Sequence, residues 1–138
     1  RATPRAINAD GPVVMVDDND SDIVLARFCY QDARLPNPFV GMHSGAELLD
    51  YLESVLTRTS AMPDIVLLDI NMPGMSGFEV FAQARTLHPG MAVVLVTGHG
   101  TPEIVNEANR MGFSAILLKP FTSDELRGTV EKVLAERA

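Results

Sequence analysis

The stretch PDIVLLDINMPGMSGFEV, residues 63–80, decides the fold of this chain. It opens with a run of aliphatic residues that ends on Asp69, and it continues through a proline-containing turn into a segment of helical period. Ser76 followed by Glu79 fits a capping box, in which two side chains satisfy free backbone donors at the start of a helix. The proline fixes one dihedral angle of the turn, and we expect Gly77 to adopt a positive φ there. The stretch therefore predicts a strand, a tight turn and a helix.

Further aliphatic runs alternate with longer segments of helical period along the rest of the chain. Such alternation is typical of βαβ units, which build a parallel sheet with helices on both faces. It predicts an α/β fold: a three-layer, doubly wound sandwich of a five-stranded parallel sheet and five helices. Right-handed crossovers leave two strand orders open for such a sheet. We expect the strands near residues 12–17, 38–42, 64–69, 92–97 and 114–118.

The starts of the other helices are also marked in the sequence. A proline directly after Thr101 suits the first turn of a helix, and another helix is expected after Asp20. Two further pairs fit the capping box, namely Ser44 with Glu47 and Thr122 with Glu125.

Residues 1–11 differ from the rest of the chain, because they contain proline, asparagine and glycine without sustained apolar periodicity. We expect them to form a flexible N-terminal arm or linker. Residues 12–138 should form one domain, since a chain of 138 residues is close to the commonest size for a single core.

The charge balance and the length of the apolar runs argue against two kinds of partner. Eleven basic residues against eighteen acidic ones give a net charge of −7, and no run of lysine and arginine could follow a phosphate backbone. No apolar run approaches the length needed to span a membrane. We therefore expect neither direct nucleic-acid binding nor a membrane partner. The single cysteine, Cys29, fits a cytoplasmic location, and its helical spacing with apolar neighbours predicts a small core residue.

Polar side chains stand where four of the predicted strands end. Asp17 and Asp18 follow the first strand, Asp69 ends the third, Thr97 ends the fourth and Lys119 follows the fifth. In open α/β sheets the carboxyl ends of the strands carry the functional site. We therefore expect the chemistry at this edge of the sheet.

The acids at this edge favour a metal ion. If the first and third strands are neighbours, Asp17, Asp18 and Asp69 converge, and their mutual repulsion requires a cation. A hard ion such as Mg²⁺ prefers carboxylate, carbonyl and water oxygens. The alternative is that Asp18 or Asp20 caps the following helix while the other acids are solvated.

Taken in order, these residues closely resemble the receiver domains of response regulators in two-component signalling, including the chemotaxis regulators. The resemblance runs from about Pro12 to the last helix. It favours the flavodoxin-like strand order 2-1-3-4-5. The motifs that carry it are Asp17-Asp18, Asp69 with Met72-Pro73 and Gly77, Thr97, and Lys119-Pro120-Phe121.

The resemblance implies a role for each residue of the set. Asp69 is expected to be the phosphoacceptor, and Thr97 and Lys119 are expected to contact the phosphoryl oxygens. It also implies a cis peptide bond before Pro120. The implied Mg²⁺ ligands are Asp17, Asp18, Asp69 and the backbone carbonyl of Asn71.

The resemblance also implies partners and a lifetime for the modification. A sensor histidine kinase or a phosphotransfer protein is the expected donor, and a downstream effector or output domain is the expected target. A homodimer through the last two helices and the last strand is a further option. The domain should catalyse its own phosphorylation and dephosphorylation as a switch rather than act as a metabolic enzyme. Asn71 and His99 match positions that tune dephosphorylation.

One position departs from the family pattern. Ile116 stands where the family usually has a tyrosine or phenylalanine that turns inward when the threonine moves. Isoleucine is smaller and stiff at χ1, so we expect switching without an aromatic gate.

Two alternatives share parts of this chemistry. A haloacid-dehalogenase-like phosphatase also uses an aspartyl nucleophile, a lysine and acidic metal ligands. That family, however, carries an aspartate where this chain has Asn71, and its acidic pair follows the lysine. A pseudo-receiver that only scaffolds a partner would fit the altered Ile116, but the complete set of acids, Thr97 and Lys119 argues against it.

Overall fold

The computed structural model describes residues 11–57, 61–72, 74 and 76–137. Within them, five strands alternate with five helices. The strands are β1 (Val13–Val16), β2 (Phe39–Met42), β3 (Ile65–Asp69), β4 (Val93–Thr97) and β5 (Ala115–Leu118). The helices are α1 (Asp20–Asp32), α2 (Gly45–Leu56), α3 (Gly77–Leu87), α4 (Pro102–Met111) and α5 (Ser123–Arg137).

The strands form one parallel sheet in the order β2-β1-β3-β4-β5. Every predicted strand is present, and the predicted α/β sandwich and its strand order are confirmed. Side chains of α2, α3 and α4 pack in one apolar cluster, and those of α1 and α5 pack in a second cluster on the opposite face. The sheet is therefore the middle layer of three.

The burial of the central strands explains why the sequence contains continuous aliphatic runs. All residues of β1, β3 and β4 are buried, because helices cover the sheet on both faces. Alternate residues of each strand enter opposite clusters, as Leu67 and Leu68 do in β3. A strand buried on both faces requires a continuous aliphatic run, which is what the sequence contains.

The N-cap of α1 is not one of the two aspartates that were considered for this role. Asn19 is the N-cap, and its side-chain oxygen accepts hydrogen bonds from the backbone N–H groups of Ser21 and Asp22 at 2.9 and 3.3 Å. Neither Asp18 nor Asp20 caps the helix, so that alternative is wrong. A neutral amide does the capping, and the neighbouring carboxylates are left for other contacts.

The predicted capping boxes of α3 and α5 are complete, whereas that of α2 is modified. At α2, Ser44 accepts from the N–H of Glu47, but the carboxylate of Glu47 accepts from the N–H of His43 at 2.9 Å. The complete boxes join Ser76 with Glu79 and Thr122 with Glu125.

The expectation that Gly77 supplies a positive φ is wrong. Among the residues of this turn that the structure describes, the positive φ, 85°, belongs to Gly74. Gly77 is needed for space: a Cβ atom there would stand 2.5 Å from the Cα of Ile70 and 2.7 Å from the backbone oxygen of Asp69. The first turn of α3 thus packs against the end of β3, which fixes the strand-to-helix turn beside Asp69.

The packed part of the domain begins one residue earlier than expected. Gly11, which we assigned to the arm, is buried, and its carbonyl accepts a hydrogen bond from the side chain of Asn37 at 2.8 Å. The rest of the arm, residues 1–10, lies outside the described residues. Among the helices that the structure describes, none has the length and apolar character to cross a membrane.

Candidate functional site

Two carboxylates meet where the neighbouring strands β1 and β3 end. Asp17 directly follows β1 and is fully buried, and Asp69 is the last residue of β3 and is 4% exposed. Asp18 is exposed beside them, and the three side chains offer carboxylate oxygens that lie within 4.8 Å of one another. Their convergence was predicted from the strand ends. The donor set fits a hard divalent cation.

Lys119 reaches this cluster from the end of β5. Its ammonium donates hydrogen bonds to Oδ2 of Asp17 at 2.6 Å and to Oδ2 of Asp22 at 2.8 Å, and it lies 3.6 Å from Oδ2 of Asp69. The Lys119–Pro120 peptide bond is cis, as the resemblance implied. The lysine is therefore hydrogen-bonded to two acids and lies close to a third.

Asp22 is the residue of this site that sequence reasoning missed. It lies in the first turn of α1, where acids favour the helix start without further function. One signal was available, because Asp22 falls at helical spacing with Leu25, Ala26 and Cys29. That face of α1 lines a cavity together with Lys119 and the loop after β5.

Burial and charge set the proton affinities of the two central groups. Burial raises the pKa of Asp69 to about 6, and the charge of Asp17 adds to the effect, although the N–H of Asn71 and the nearby Lys119 oppose it. Burial lowers the pKa of Lys119, but its hydrogen bonds to Asp17 and Asp22, together with the negative charges of Asp69 and Asp17, outweigh burial and hold that pKa above its ordinary value. The site thus holds more negative charge than the lysine neutralises.

The acids and the lysine line an open cavity of about 270 Å³. The backbone N–H of Asn71 donates to Oδ1 of Asp69 at 3.1 Å, which orients the carboxylate. His99 is exposed at the rim, in the loop after β4. The lining residues are Asp17, Asp18, Asn19, Asp22, Asp69, Asn71, Gly98, His99 and Lys119.

Thr97 ends β4 near this cavity but does not line it. Its side chain is fully buried, and its hydroxyl oxygen accepts a hydrogen bond from the N–H of His99 at 3.0 Å. The hydroxyl itself donates to the backbone oxygen of His99 at 3.4 Å, so both of its hydrogen bonds are made within the loop that follows β4.

Ile116 lies away from the cavity in β5. It pairs with Leu95 of β4 and is partly buried against the apolar cluster of α2, α3 and α4. Thr97 follows Leu95 by two residues and so faces the same side of the sheet. The two positions that the family couples therefore share one face, with an aliphatic side chain in place of the ring.

A larger, mostly apolar cavity of about 440 Å³ adjoins the acidic one, between α1 and the loop after β5. Cys29 borders it and is only partly buried, with its Sγ atom 3.8 Å from the backbone oxygen of Phe121. The predicted core position of Cys29 is thus a border position. This cavity has few polar groups of its own, so the chemistry belongs to the smaller one.

The fold and the site together define a flavodoxin-like α/β domain with an acidic, metal-compatible pocket and an opposed lysine. The chain belongs to the response regulator receiver domain family, whose model matches residues 13–131.

Relatives and solved structures are consistent with this assignment. The regulatory protein LuxO of Vibrio vulnificus is 31% identical over 120 residues, which cover 87% of this chain and 25% of LuxO. Sporulation initiation phosphotransferase F of Bacillus subtilis is 34% identical over 83 residues, covering 60% of this chain and 67% of that protein. The crystallised chemotaxis protein CheY4 of Vibrio cholerae superposes with a TM-score of 0.76 at 27% identity, covering 89% of this chain and 98% of that one. The chain spans about a quarter of the length of LuxO.

Proposed function

We propose that this chain is the phosphoacceptor of a two-component phosphorelay and that Asp69 carries the phosphoryl group. The observation that supports this most is the position of Asp69, a buried carboxylate in an open acidic cavity with a lysine ammonium 3.6 Å away. Asp69 is also held at one oxygen by the N–H of Asn71, which leaves its other oxygen to react.

The cavity supports Mg²⁺ as the cofactor. Asp17, Asp18 and Asp69 would supply carboxylate oxygens, and Asn71 would supply its backbone carbonyl. Burial and, to a smaller extent, the charge of Asp17 raise the pKa of Asp69, and a bound cation would favour its carboxylate form. When bound, the ion supplies neutralisation of charge on the phosphoryl oxygens.

The residues of the chain then perform the transfer. A carboxylate oxygen of Asp69 forms the new P–O bond as the P–N bond of a phosphohistidine donor breaks, and the departing imidazole takes up a proton. Lys119 stabilises the charge on the phosphoryl oxygens, and the hydroxyl of Thr97 joins it as a hydrogen-bond donor. Water later hydrolyses the acyl phosphate. Asn71 and His99 flank its approach at the cavity rim.

A donor protein must dock where it can reach Asp69. Exposed apolar side chains lie on α1, where Leu25 is 62% and Phe28 is 68% exposed. Leu25 borders the larger cavity that adjoins the acidic one. We assign this surface to the donor, a sensor histidine kinase or a phosphotransfer protein. Such an exchange would take place in the cytoplasm.

The output surface is proposed on α4, β5 and α5. A downstream effector, an output domain or a second copy of the chain would bind there. Because Ile116 is aliphatic and already packed, the change at Thr97 would pass to this surface mainly through residues 98–111. Phosphorylation shifts binding only by the difference in affinity between the two states.

The family match does not favour either alternative function. The acidic pair precedes the lysine, and Asn71 occupies the place where a haloacid-dehalogenase-like phosphatase carries an aspartate. A pseudo-receiver would not need the paired acids and lysine that the cavity contains.

Phosphorylation by a small-molecule donor tests the proposal. The protein is incubated with acetyl phosphate and Mg²⁺ and then weighed by intact-mass spectrometry. One adduct is expected on the wild type and on Asp50→Asn, which alters an exposed acid of α2, and none on Asp69→Asn. An equal adduct on Asp69→Asn would refute the assignment. Turnover of small phosphate esters by the wild type would instead favour the phosphatase.

A further inference from the structure

Asp22 contacts the same ammonium that the phosphoryl group requires. Lys119 is 2.8 Å from Oδ2 of Asp22 and 2.6 Å from Oδ2 of Asp17, whereas the nearest oxygen of Asp69 is 3.6 Å away. The ammonium is thus hydrogen-bonded to two acids and stops short of hydrogen-bond distance from the third.

The position of Asp22 is fixed by the start of α1. Its backbone N–H donates both to the side chain of the cap residue Asn19 and to the carbonyl of that residue, at 3.3 and 3.1 Å. The side chains of Asp22 and Lys119 are 33% and 21% exposed, so water only partly screens their attraction. The helix cap and partial burial therefore hold the two side chains of this ion pair in position, unlike those of an ion pair between two mobile surface side chains.

The charge of the cavity makes this contact competitive. Among the described residues that line it, Lys119 is the one lysine or arginine, and it faces four aspartates. A phosphoryl group on Asp69 adds negative charge and draws on the same ammonium. Whatever holds the ammonium on Asp22 works against that state.

We propose that Asp22 is a positioning residue that holds the ammonium of Lys119 short of Asp69 and thereby opposes the phosphorylated state. This inference rests on the proposed function. Asp22→Asn removes one of the two carboxylates that hold the ammonium, and with it one negative charge from the cavity. At saturating Mg²⁺ it should bind beryllofluoride, a mimic of the phosphoryl group, roughly five- to tenfold more tightly than the wild type.

Lysine NMR tests the anchoring without any phosphoryl chemistry. The chain contains two lysines, Lys119 and Lys132, so protein carrying nitrogen-15 lysine gives two ammonium signals. In Asp22→Asn the Lys119 signal should move while that of Lys132, an exposed residue of α5, serves as the internal reference. Asp22→Glu keeps the charge and should keep the Lys119 signal near its wild-type position. An unmoved Lys119 signal in Asp22→Asn overturns the proposal.

Calorimetry with beryllofluoride and Mg²⁺ tests the consequence. The matched control is Asp20→Asn, which removes an acid from the same helical turn whose partner is His43 rather than Lys119. A gain in Asp22→Asn alone, reversed in Asp22→Glu, supports the proposal. Equal or weaker binding by Asp22→Asn overturns it, and so does an equal gain in Asp20→Asn. If the wild type and every variant fail to bind beryllofluoride, the proposed function fails, and the lysine signals still decide the anchoring.

Discussion

Replacing Asp69 by Asn should stabilise the metal-free protein at neutral pH. Asp69 is buried, and its pKa rises from 3.8 to about 6 because burial and the charge of Asp17 disfavour the carboxylate. The folded state then holds this proton more tightly than the unfolded chain does. The proton therefore stabilises the fold at low pH, and that contribution is lost as the pH rises from about 4 to about 6. The difference between these two pKa values corresponds to a loss of about 3 kcal/mol in the free energy of unfolding at pH 8 and 25 °C.

Asparagine has a similar shape and no charge to bury, so the variant avoids this loss. Urea unfolding of both proteins in the presence of a chelator, followed by circular dichroism, measures the difference. The free energy of unfolding of Asp69→Asn should exceed that of the wild type by about 3 kcal/mol at pH 8 and by about 1 kcal/mol at pH 4.5. Asp50→Asn, which alters an exposed acid of α2, should show no such dependence on pH.

Saturating Mg²⁺ adds a second arm to this measurement. It should raise the stability of the wild type at pH 8 and leave that of Asp69→Asn much less changed, because the variant lacks one ligand charge. Equal stability of the two metal-free proteins at pH 8 would show that Lys119 already neutralises the carboxylate. A difference that grows on acidification would contradict the sign of the argument.

Further predictions concern the metal, the lifetime, the turn and the switch. Asp18→Asn should weaken Mg²⁺ binding by about tenfold in a calorimetric titration while the metal-free stability stays the same, because this acid is exposed. His99→Ala should change the rate of phosphoryl loss followed by intact mass, and an identical rate would leave it a solvated loop residue. Gly77→Ala should lower the free energy of unfolding by about 2 kcal/mol in urea, since its Cβ would stand 2.5 Å from a backbone atom. Amide NMR with beryllofluoride should show shifts through residues 98–111 and smaller ones around Ile116; the reverse pattern would place the relay in β5.

The architecture was predictable because burial of the strands on both faces of the sheet produced the pattern of aliphatic runs. Strands such as β3 are buried on both faces, so the sequence of each is a largely uninterrupted aliphatic run. The acids of the site were predictable for a related reason. Asp17 and Asp69 stand directly where such runs stop, and parallel strands that are neighbours bring their carboxyl ends together.

The remaining features depend on contacts between distant parts of the chain. Asp22 and Lys119 are 97 residues apart, and only the packing of α1 against the loop after β5 shows that they meet. The reason for Gly77 is the approach of two backbone segments, which no local preference for a φ value reveals. The hydroxyl of Thr97 accepts a hydrogen bond from the N–H of His99, and a strand-end pattern carries no information on such a contact.

The neutral N-cap of α1, Asn19, makes the charge of the acidic cavity independent of the start of the helix. Asn19 lines the acidic cavity and also begins the helix, and aspartate would begin the helix about equally well. A single base change converts an asparagine codon into an aspartate codon, so a fifth carboxylate at this cavity is one mutation away and leaves the helix start intact. The charge of the cavity can therefore change while the architecture stays constant.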